Sequence, residues 1–93
     1  MSFPNPADSG YTIYSKSDCS YCTKAKYLLT DDNLTVYVCD SYLDTDREEF
    51  IDFIKKIAGK EHRTFPIIFK DSKYIGGYSD LLTLLKELLS KDD

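Results

Sequence analysis

Apolar and polar residues follow two spacings along the chain, one typical of strands and one typical of helices. Short runs of β-branched and aromatic residues indicate strands, and apolar residues three and four apart indicate helices. The predicted elements are strands at 11–15, 34–39, 66–69 and 73–75, and helices at 20–30, 45–58 and 79–89. Their order is β-α-β-α-β-β-α, which predicts an α/β fold.

This order constrains the sheet. A β-α-β start implies a parallel strand pair with a right-handed crossover, and the later β-β step implies an antiparallel pair. We therefore expect a four-stranded mixed sheet flanked by three helices, with helices on both faces.

Local signals mark the ends of these elements. Thr45-x-x-Glu48 has the form of a capping box, and Gly59 suits the position that ends the same helix. Asp71-Ser72 suits a hairpin turn, and Ser79 suits the cap of the last helix. The apolar face of that helix is predicted to comprise Leu81, Leu82, Leu85, Leu88 and Leu89.

Length and charge narrow the class of protein. The 93 residues suit a single domain, which we place at 11–93. Residues 1–10 hold two of the three prolines and several small polar residues, so they are predicted to form a flexible arm. A net charge of −4 argues against nucleic acid or an anionic membrane as partner. No apolar run approaches the roughly 20 residues that span a bilayer, and the N-terminal residues show no signal-peptide pattern. We therefore expect a cytoplasmic protein without a membrane segment.

Cys19-Ser20-Tyr21-Cys22 stands at the predicted junction between the first strand and the first helix. A thiol at a helix N-terminus faces unpaired backbone N–H groups and the positive end of the helix dipole, and both favour the thiolate. Cys22 is one turn further on and faces inward, where burial disfavours its thiolate. The predicted roles are therefore Cys19 as nucleophile and Cys22 as the resolving thiol of disulfide exchange.

Other interpretations of the cysteines stay open. The pair is also compatible with half of a zinc site completed by Cys39 and His62, although the spacing is irregular. Cys39 alone is interpreted as a small core residue at a strand end, with a regulatory thiol as the alternative. His62 stands in a polar segment and is predicted to be solvated.

Three segments together resemble the glutaredoxin family. Residues 14–22 resemble its active-site stretch, with Lys16 three residues before Cys19. Residues 63–66, Arg-Thr-Phe-Pro, resemble its Thr-Val-Pro segment, and residues 75–81 resemble its Gly-Gly-x-x-Asp segment. The resemblance covers about residues 10–90 and implies a thioredoxin-like fold and glutathione-dependent thiol–disulfide exchange on protein–glutathione mixed disulfides and protein disulfides.

The resemblance also implies a glutathione site. Lys16 would pair with the glycine carboxylate, and a cis Pro66 would present the Phe65 backbone to the cysteine of glutathione. Gly77 would leave room for the ligand, the N–H groups of Tyr78 and Ser79 would bind the γ-glutamyl carboxylate, and Asp80 would meet its ammonium. The implied glutathione-binding residues are Lys16, Tyr21, Arg63, Thr64, Phe65, Pro66, Gly77, Tyr78, Ser79 and Asp80.

Ser20 departs from the family pattern, since many dithiol members have Pro at this position. In the family, a residue other than Pro here is associated with members that hold a [2Fe–2S] cluster between two subunits with glutathione, Cys19 then being a ligand. A cluster-carrying dimer is thus one alternative, and a thioredoxin-like donor that uses no glutathione is another. The main interpretation is a monomer, with ribonucleotide reductase as a protein partner suggested by family analogy.

Overall fold

A computed structural model describes residues 2–30 and 32–90. It contains four strands and four helices along this part of the chain. In chain order they are β1 (Tyr11–Ser15), α1 (Ser20–Leu28), β2 (Leu34–Val38), α2 (Asp40–Thr45), α3 (Arg47–Ala58), β3 (Ile67–Lys70), β4 (Lys73–Gly76) and α4 (Tyr78–Ser90).

The strands form one mixed sheet in the order β2-β1-β3-β4. β1 pairs in parallel with β2, opposite Leu34 to Val38, and antiparallel with β3. β3 and β4 form an antiparallel hairpin. The mixed four-stranded sheet predicted from the element order is confirmed.

Helices cover both faces of the sheet. On one face Ala25 and Leu29 from α1 and Leu81 from α4 pack against Tyr11, Ile13 and Ile68. On the other face Leu43 from α2 and Phe50, Ile51 and Ile54 from α3 pack against Tyr14, Ile67 and Phe69. Alternate residues of a strand point to opposite faces, and every residue of the central strand β1 is therefore buried.

The segment after β2 differs from the prediction, since it holds two helices in place of one. The short helix α2 was not predicted. The Thr45-x-x-Glu48 capping box is wrong, because Thr45 is the last residue of α2 and its hydroxyl bonds to the Ser41 carbonyl and the Asp46 carboxylate. α3 begins at Arg47 after Asp46, which makes no side-chain capping bond.

The predicted C-terminal end of α3 and the predicted turn of the β3–β4 hairpin are confirmed. Gly59 ends α3 at φ 81°, in the left-handed region that glycine adopts without strain. Asp71 and Ser72 form the predicted hairpin turn, both with positive φ. α1 ends at Leu28, slightly earlier than predicted.

The last helix departs from its prediction at both ends. α4 begins at Tyr78, so Ser79 lies inside it and does not cap it. Leu81 is buried as predicted, and Leu84 joins the core although the predicted face omitted it. Leu88 and Leu89 are exposed, because the helix extends past the layer it packs on.

Residues 2–10 make several contacts with the domain. The Pro4 carbonyl accepts a hydrogen bond from the Tyr14 hydroxyl at 2.7 Å, and the Asn5 carbonyl accepts one from Tyr37 at 3.1 Å. The Phe3 ring packs against three aromatic rings on α2 and α3. Residues 2–10 of the predicted arm therefore lie packed on the domain, and the flexibility predicted for this segment stays a prediction.

Within residues 2–30 and 32–90, no helix combines the length and the apolar character that crossing a membrane requires.

The Phe3 contacts predict an energetic role for the arm. The ring lies 5.0 Å from the Tyr42 ring and 5.4 Å from those of Phe50 and Phe53. Phe3→Ala removes apolar burial and aromatic pairing, and we expect it to lower the free energy of unfolding by about 1–3 kcal/mol in urea titration. The control Tyr27→Ala, at a ring that is 82% exposed, is expected to change it by less than about 0.5 kcal/mol. A loss of unfolding free energy in Phe3→Ala that is no larger than in Tyr27→Ala would contradict this role of the arm.

Candidate active site

The two cysteines lie where β1 passes into α1. A turn at Ser17 and Asp18 leads into the helix, with Asp18 at φ 56°, a conformation that Asp tolerates better than most residues. Cys19 is itself the N-cap of α1 in extended backbone conformation, and its sulfur accepts a hydrogen bond from the Cys22 N–H at 3.2 Å. The helix therefore directs a backbone donor at the Cys19 sulfur, as the sequence predicted for a helix N-terminus.

The two sulfurs differ in exposure. Cys19 is partly exposed, whereas Cys22 is completely buried. The structure joins them as a disulfide with their Cα atoms 5.2 Å apart. Only Cys19 is accessible to an incoming disulfide, which is the geometry required by the predicted roles of nucleophile and resolving thiol.

The loop before Cys19 is held by a residue that sequence reasoning missed. Asp40, at the start of α2, accepts a hydrogen bond from the Ser17 N–H at 2.9 Å. The hydrogen bonding to Ser17 lowers the pKa of Asp40, and the positive charge of Lys16 lowers it further. No local signal identifies Asp40, because its partner is distant in sequence and meets it through the parallel pairing of β1 with β2.

The segment before β3 faces the dithiol. The Phe65–Pro66 peptide bond is cis, as the family resemblance implied for Pro66. The Phe65 carbonyl oxygen lies 3.6 Å from the Cys19 sulfur. The Phe65 ring turns toward the core and stacks on Phe50 with an 8° angle between the ring planes. Phe65 thus presents its backbone to the dithiol and anchors its side chain in the core.

A groove of about 940 Å³ runs from this segment to the start of α4. This volume falls in the range of pockets that bind small molecules. Nine of the ten residues that the resemblance implied for glutathione line it together: Tyr21, Arg63, Thr64, Phe65, Pro66, Gly77, Tyr78, Ser79 and Asp80. Their placement in one groove is a structural finding, and their role as ligand contacts stays a prediction.

The tenth residue, Lys16, lies outside the groove lining. Its side chain is exposed, with Nζ 5.8 Å from the centre of the Phe65 ring. Lys16 therefore stands next to the segment that faces Cys19, at a distance that suits a cation–π contact.

Arg63 lines the groove but is already paired. Its guanidinium lies 3.3 Å from a Glu48 oxygen and 3.1 Å from a Glu61 oxygen. These hydrogen bonds, first to Glu48 and then to Glu61, raise the pKa of Arg63. A ligand carboxylate would have to compete with two protein carboxylates for this group. Sequence analysis predicted only a capping role for Glu48, and no local signal identified Glu61.

The opposite wall of the groove is the N-terminus of α4. The Gly77 N–H donates to Asp80 Oδ2 at 3.0 Å, so Asp80 caps the helix from within its first turn. Gly76 has φ 136°, and a Cβ there would collide with the Asp80 carboxylate. Asp80 therefore fixes the start of α4 at this end of the groove, and it also supplies a negative charge there.

His62 is not solvated as predicted. It is half-buried in the groove wall, and its Nδ1 lies 2.5 Å from the Tyr74 hydroxyl on β4. Burial is the main cause of its lowered pKa. The prediction failed because the hairpin places Tyr74 beside His62, a contact that local polarity does not reveal.

Cys39 lies in the core on the α2–α3 face, as interpreted from the sequence, and is completely buried. Burial raises the pKa of its thiol to about 12. Among residues 2–30 and 32–90, no three His, Cys, Asp or Glu side chains form a group that could hold a metal ion. The zinc site with Cys39 and His62 therefore has no support in the described part of the chain.

An exposed cysteine at a helix N-terminus, a buried partner three residues later and a facing cis-proline segment define a dithiol protein of the thioredoxin fold. The glutaredoxin family model matches residues 11–75. The chain belongs to the glutaredoxin family of thiol–disulfide oxidoreductases.

Individual relatives agree with this assignment. Human "Glutaredoxin-2, mitochondrial" is 40% identical over 81 residues, covering 87% of this chain and 48% of its own length. "Glutaredoxin 1" of Rickettsia prowazekii is 43% identical over 75 residues, covering 81% of this chain and 76% of its own. The solution structure of a dithiolic glutaredoxin from Trypanosoma brucei brucei is 33% identical with a TM-score of 0.67, covering 83% of this chain and 77% of its own. The chain spans about half the length of its human relative.

Proposed function

We propose that the protein is a glutathione-dependent thiol–disulfide oxidoreductase that reduces protein–glutathione mixed disulfides and protein disulfides. The observation that carries the proposal is the continuity between the Cys19 sulfur and the groove. The Phe65 carbonyl lies 3.6 Å from that sulfur, and the same residue lines the groove. A ligand with its sulfur at Cys19 has the groove next to it for its remaining atoms.

The chemistry of the groove suits the ends of glutathione. Its γ-glutamyl end carries an ammonium beside a carboxylate, and the start of α4 offers the Asp80 carboxylate beside backbone N–H groups. Its glycine carboxylate suits the cations near Phe65, namely Lys16 and Arg63. The backbone of Phe65, which lines the groove, suits the peptide in the middle, in the manner of an added strand.

The reaction follows from the exposure of Cys19. Its thiolate attacks the glutathione sulfur of a mixed disulfide, so a Cys19–glutathione bond forms and the protein–glutathione bond breaks. The substrate protein leaves as a thiolate and takes a proton. A second glutathione thiolate attacks the same glutathione sulfur, which releases oxidised glutathione and regenerates the Cys19 thiolate.

Protein disulfides need the second cysteine. After Cys19 forms a mixed disulfide with the substrate protein, Cys22 attacks the Cys19 sulfur and releases the substrate. The resulting Cys19–Cys22 disulfide is the form in the structure, and glutathione reopens it. We also propose that the protein is a cytoplasmic monomer and that ribonucleotide reductase is among the proteins it reduces.

The alternative of a [2Fe–2S] carrier rests on Ser20 in the active-site sequence. Within the described residues, the metal-ligating side chains do not gather into a site that one chain completes alone. Such a cluster would use Cys19 from each of two chains together with glutathione. A coloured dimer in size-exclusion chromatography would favour the carrier over the monomeric enzyme.

The roles of the two cysteines give a direct test. Cys19→Ser is expected to abolish turnover, because no accessible thiolate remains. Cys22→Ser is expected to keep the removal of glutathione from mixed disulfides, which needs only Cys19, and to lose most of the activity on protein disulfides. The measurement is glutathione-coupled turnover with both substrate types. A folded Cys22→Ser protein that is inactive on both would contradict the one-thiol route.

Asp80 tests whether glutathione occupies the groove. Asp80→Asn keeps an oxygen that can accept the Gly77 N–H, so it removes the charge while preserving the α4 cap. An exposed charge contact contributes about 0.2–1 kcal/mol, so the KM for glutathione is expected to rise up to about fivefold, and less at high salt. Reduction of the disulfide by dithiothreitol, which has no ammonium, serves as the reference reaction.

Asp52→Asn is the matched control, because it makes the same charge change at an exposed position on α3 that does not line the groove. Glutathione kinetics that are the same in Asp80→Asn and Asp52→Asn would contradict the ligand placement and favour the thioredoxin-like alternative.

A further inference from the structure

His62 and Tyr74 form a pair in the groove wall that the proposed reaction does not use. Their rings meet edge to face with centroids 5.8 Å apart, and His62 Nδ1 lies 2.5 Å from the Tyr74 hydroxyl. A tyrosine hydroxyl can donate to an imidazole nitrogen that carries no proton. The contact therefore suits a neutral His62 with its proton on Nε2.

The other edge of the imidazole faces the start of α4. A Cβ built on Gly77 would lie 3.8 Å from His62 Cε1 and 4.0 Å from Nε2. Gly77 is the residue whose N–H binds the Asp80 carboxylate. The imidazole therefore stands next to the end of the groove where the charge of Asp80 is held.

The charged and titratable groups that face His62 come from three elements. They are Lys60 from its own segment, Tyr74 from β4 and Asp80 from α4. Burial lowers the pKa of His62 most, and Lys60 lowers it further, whereas Asp80 and a backbone hydrogen bond at Thr64 raise it. The net direction is downward, so the imidazole is neutral at pH 7.

We propose that His62, held by Tyr74, is a specificity-determining residue that reserves this end of the groove for a ligand with a free ammonium group. A neutral imidazole leaves the Asp80 carboxylate to attract the ammonium. An imidazolium would offset that carboxylate and repel the ammonium. The inference rests on the proposed function, since it concerns the γ-glutamyl end of glutathione.

Thermodynamic linkage gives the sign of the effect. Asp80 raises the pKa of His62, and a ligand ammonium bound to Asp80 cancels its field. The ammonium of such a ligand therefore lowers the pKa of His62 relative to the same ligand without an ammonium, since both forms bring the same carboxylate to the start of α4. By reciprocity, protonation of His62 must weaken the ammonium contact, so the preference for a ligand with an ammonium falls as the pH falls through the already lowered pKa.

His62 is the single histidine of the chain, so NMR can follow its titration without a prior assignment of histidine signals. The probe is S-methylglutathione, which has no thiol and cannot react with Cys19. N-acetyl-S-methylglutathione keeps the carboxylates but lacks the ammonium. The pKa of His62 is expected to be lower in the complex with S-methylglutathione than in the complex with the N-acetyl analogue.

Calorimetry supplies the second readout. The affinity of S-methylglutathione relative to its N-acetyl analogue is measured at pH 7.5 and at a pH below the midpoint of the His62 titration found by NMR. This ratio is expected to fall by up to about fivefold at the lower pH in the wild-type protein, as for the loss of one modest charge contact. In His62→Asn, which keeps an acceptor for Tyr74 but does not titrate, the ratio is expected to be the same at both pH values. The NMR titration of the wild-type protein stands on its own if this variant fails to fold.

The outcomes distinguish a failure of the role of His62 from a failure of the proposed function. A pKa of His62 that is equal in the two complexes, or higher with S-methylglutathione, would overturn the role of His62 and leave the proposed function standing. A fall of the affinity ratio at low pH that persists in His62→Asn would also overturn it. No binding of S-methylglutathione at either pH would contradict the proposed function itself, and the inference with it.

Discussion

The site depends on the Cys19 sulfur being both the cap of α1 and a neighbour of the Phe65 carbonyl. The first contact, from the Cys22 N–H at 3.2 Å, fixes the sulfur at the positive end of a helix. The second, at 3.6 Å, fixes it at the mouth of the groove. The second contact requires α1 and the segment before β3 to meet at the same end of the two central strands, which the antiparallel pairing of β1 with β3 achieves. The central strand therefore places the dithiol.

Charge in the groove is arranged by pairing. Asp80 is fixed by the Gly77 N–H, Arg63 is held by Glu48 and Glu61, and the His62 imidazole meets the Tyr74 hydroxyl. The exposed ion pairs of Arg63 add little to stability, but these contacts together fix where each polar group stands when a ligand arrives. A small, flexible ligand with charges at both ends is well matched to a groove whose charges are held in this way.

Much of this could be predicted from the sequence because strand and helix periodicity decide the element order. The strand-to-helix context of Cys19 and Cys22 also predicted that they differ in exposure, since helical spacing alone turns Cys22 inward. The family motifs predicted more than half of the groove, because the segments 63–66 and 75–81 hold eight of the fourteen residues that line it.

What could not be predicted depends on contacts between residues far apart in sequence. His62 meets Tyr74, Ser17 meets Asp40, and Phe3 meets Phe50 only after the sheet has formed. The Thr45 capping box failed for a different, local reason, because its hydroxyl bonds to nearby groups at the end of α2. Local pattern identifies which residues are able to cap or bind, and tertiary structure decides which partner they take.

The central claim is that a glutathione bonded to Cys19 lies in the groove that ends at α4. Its most direct test is NMR of the isotopically labelled Cys22→Ser protein carrying one glutathione on Cys19. The account predicts magnetisation transfer from γ-glutamyl protons to the amides of Gly77, Tyr78 and Ser79, and from the glutathione cysteine to Phe65. A stable adduct whose γ-glutamyl protons contact none of these residues, or contact the Asp40 side of the loop, would contradict it.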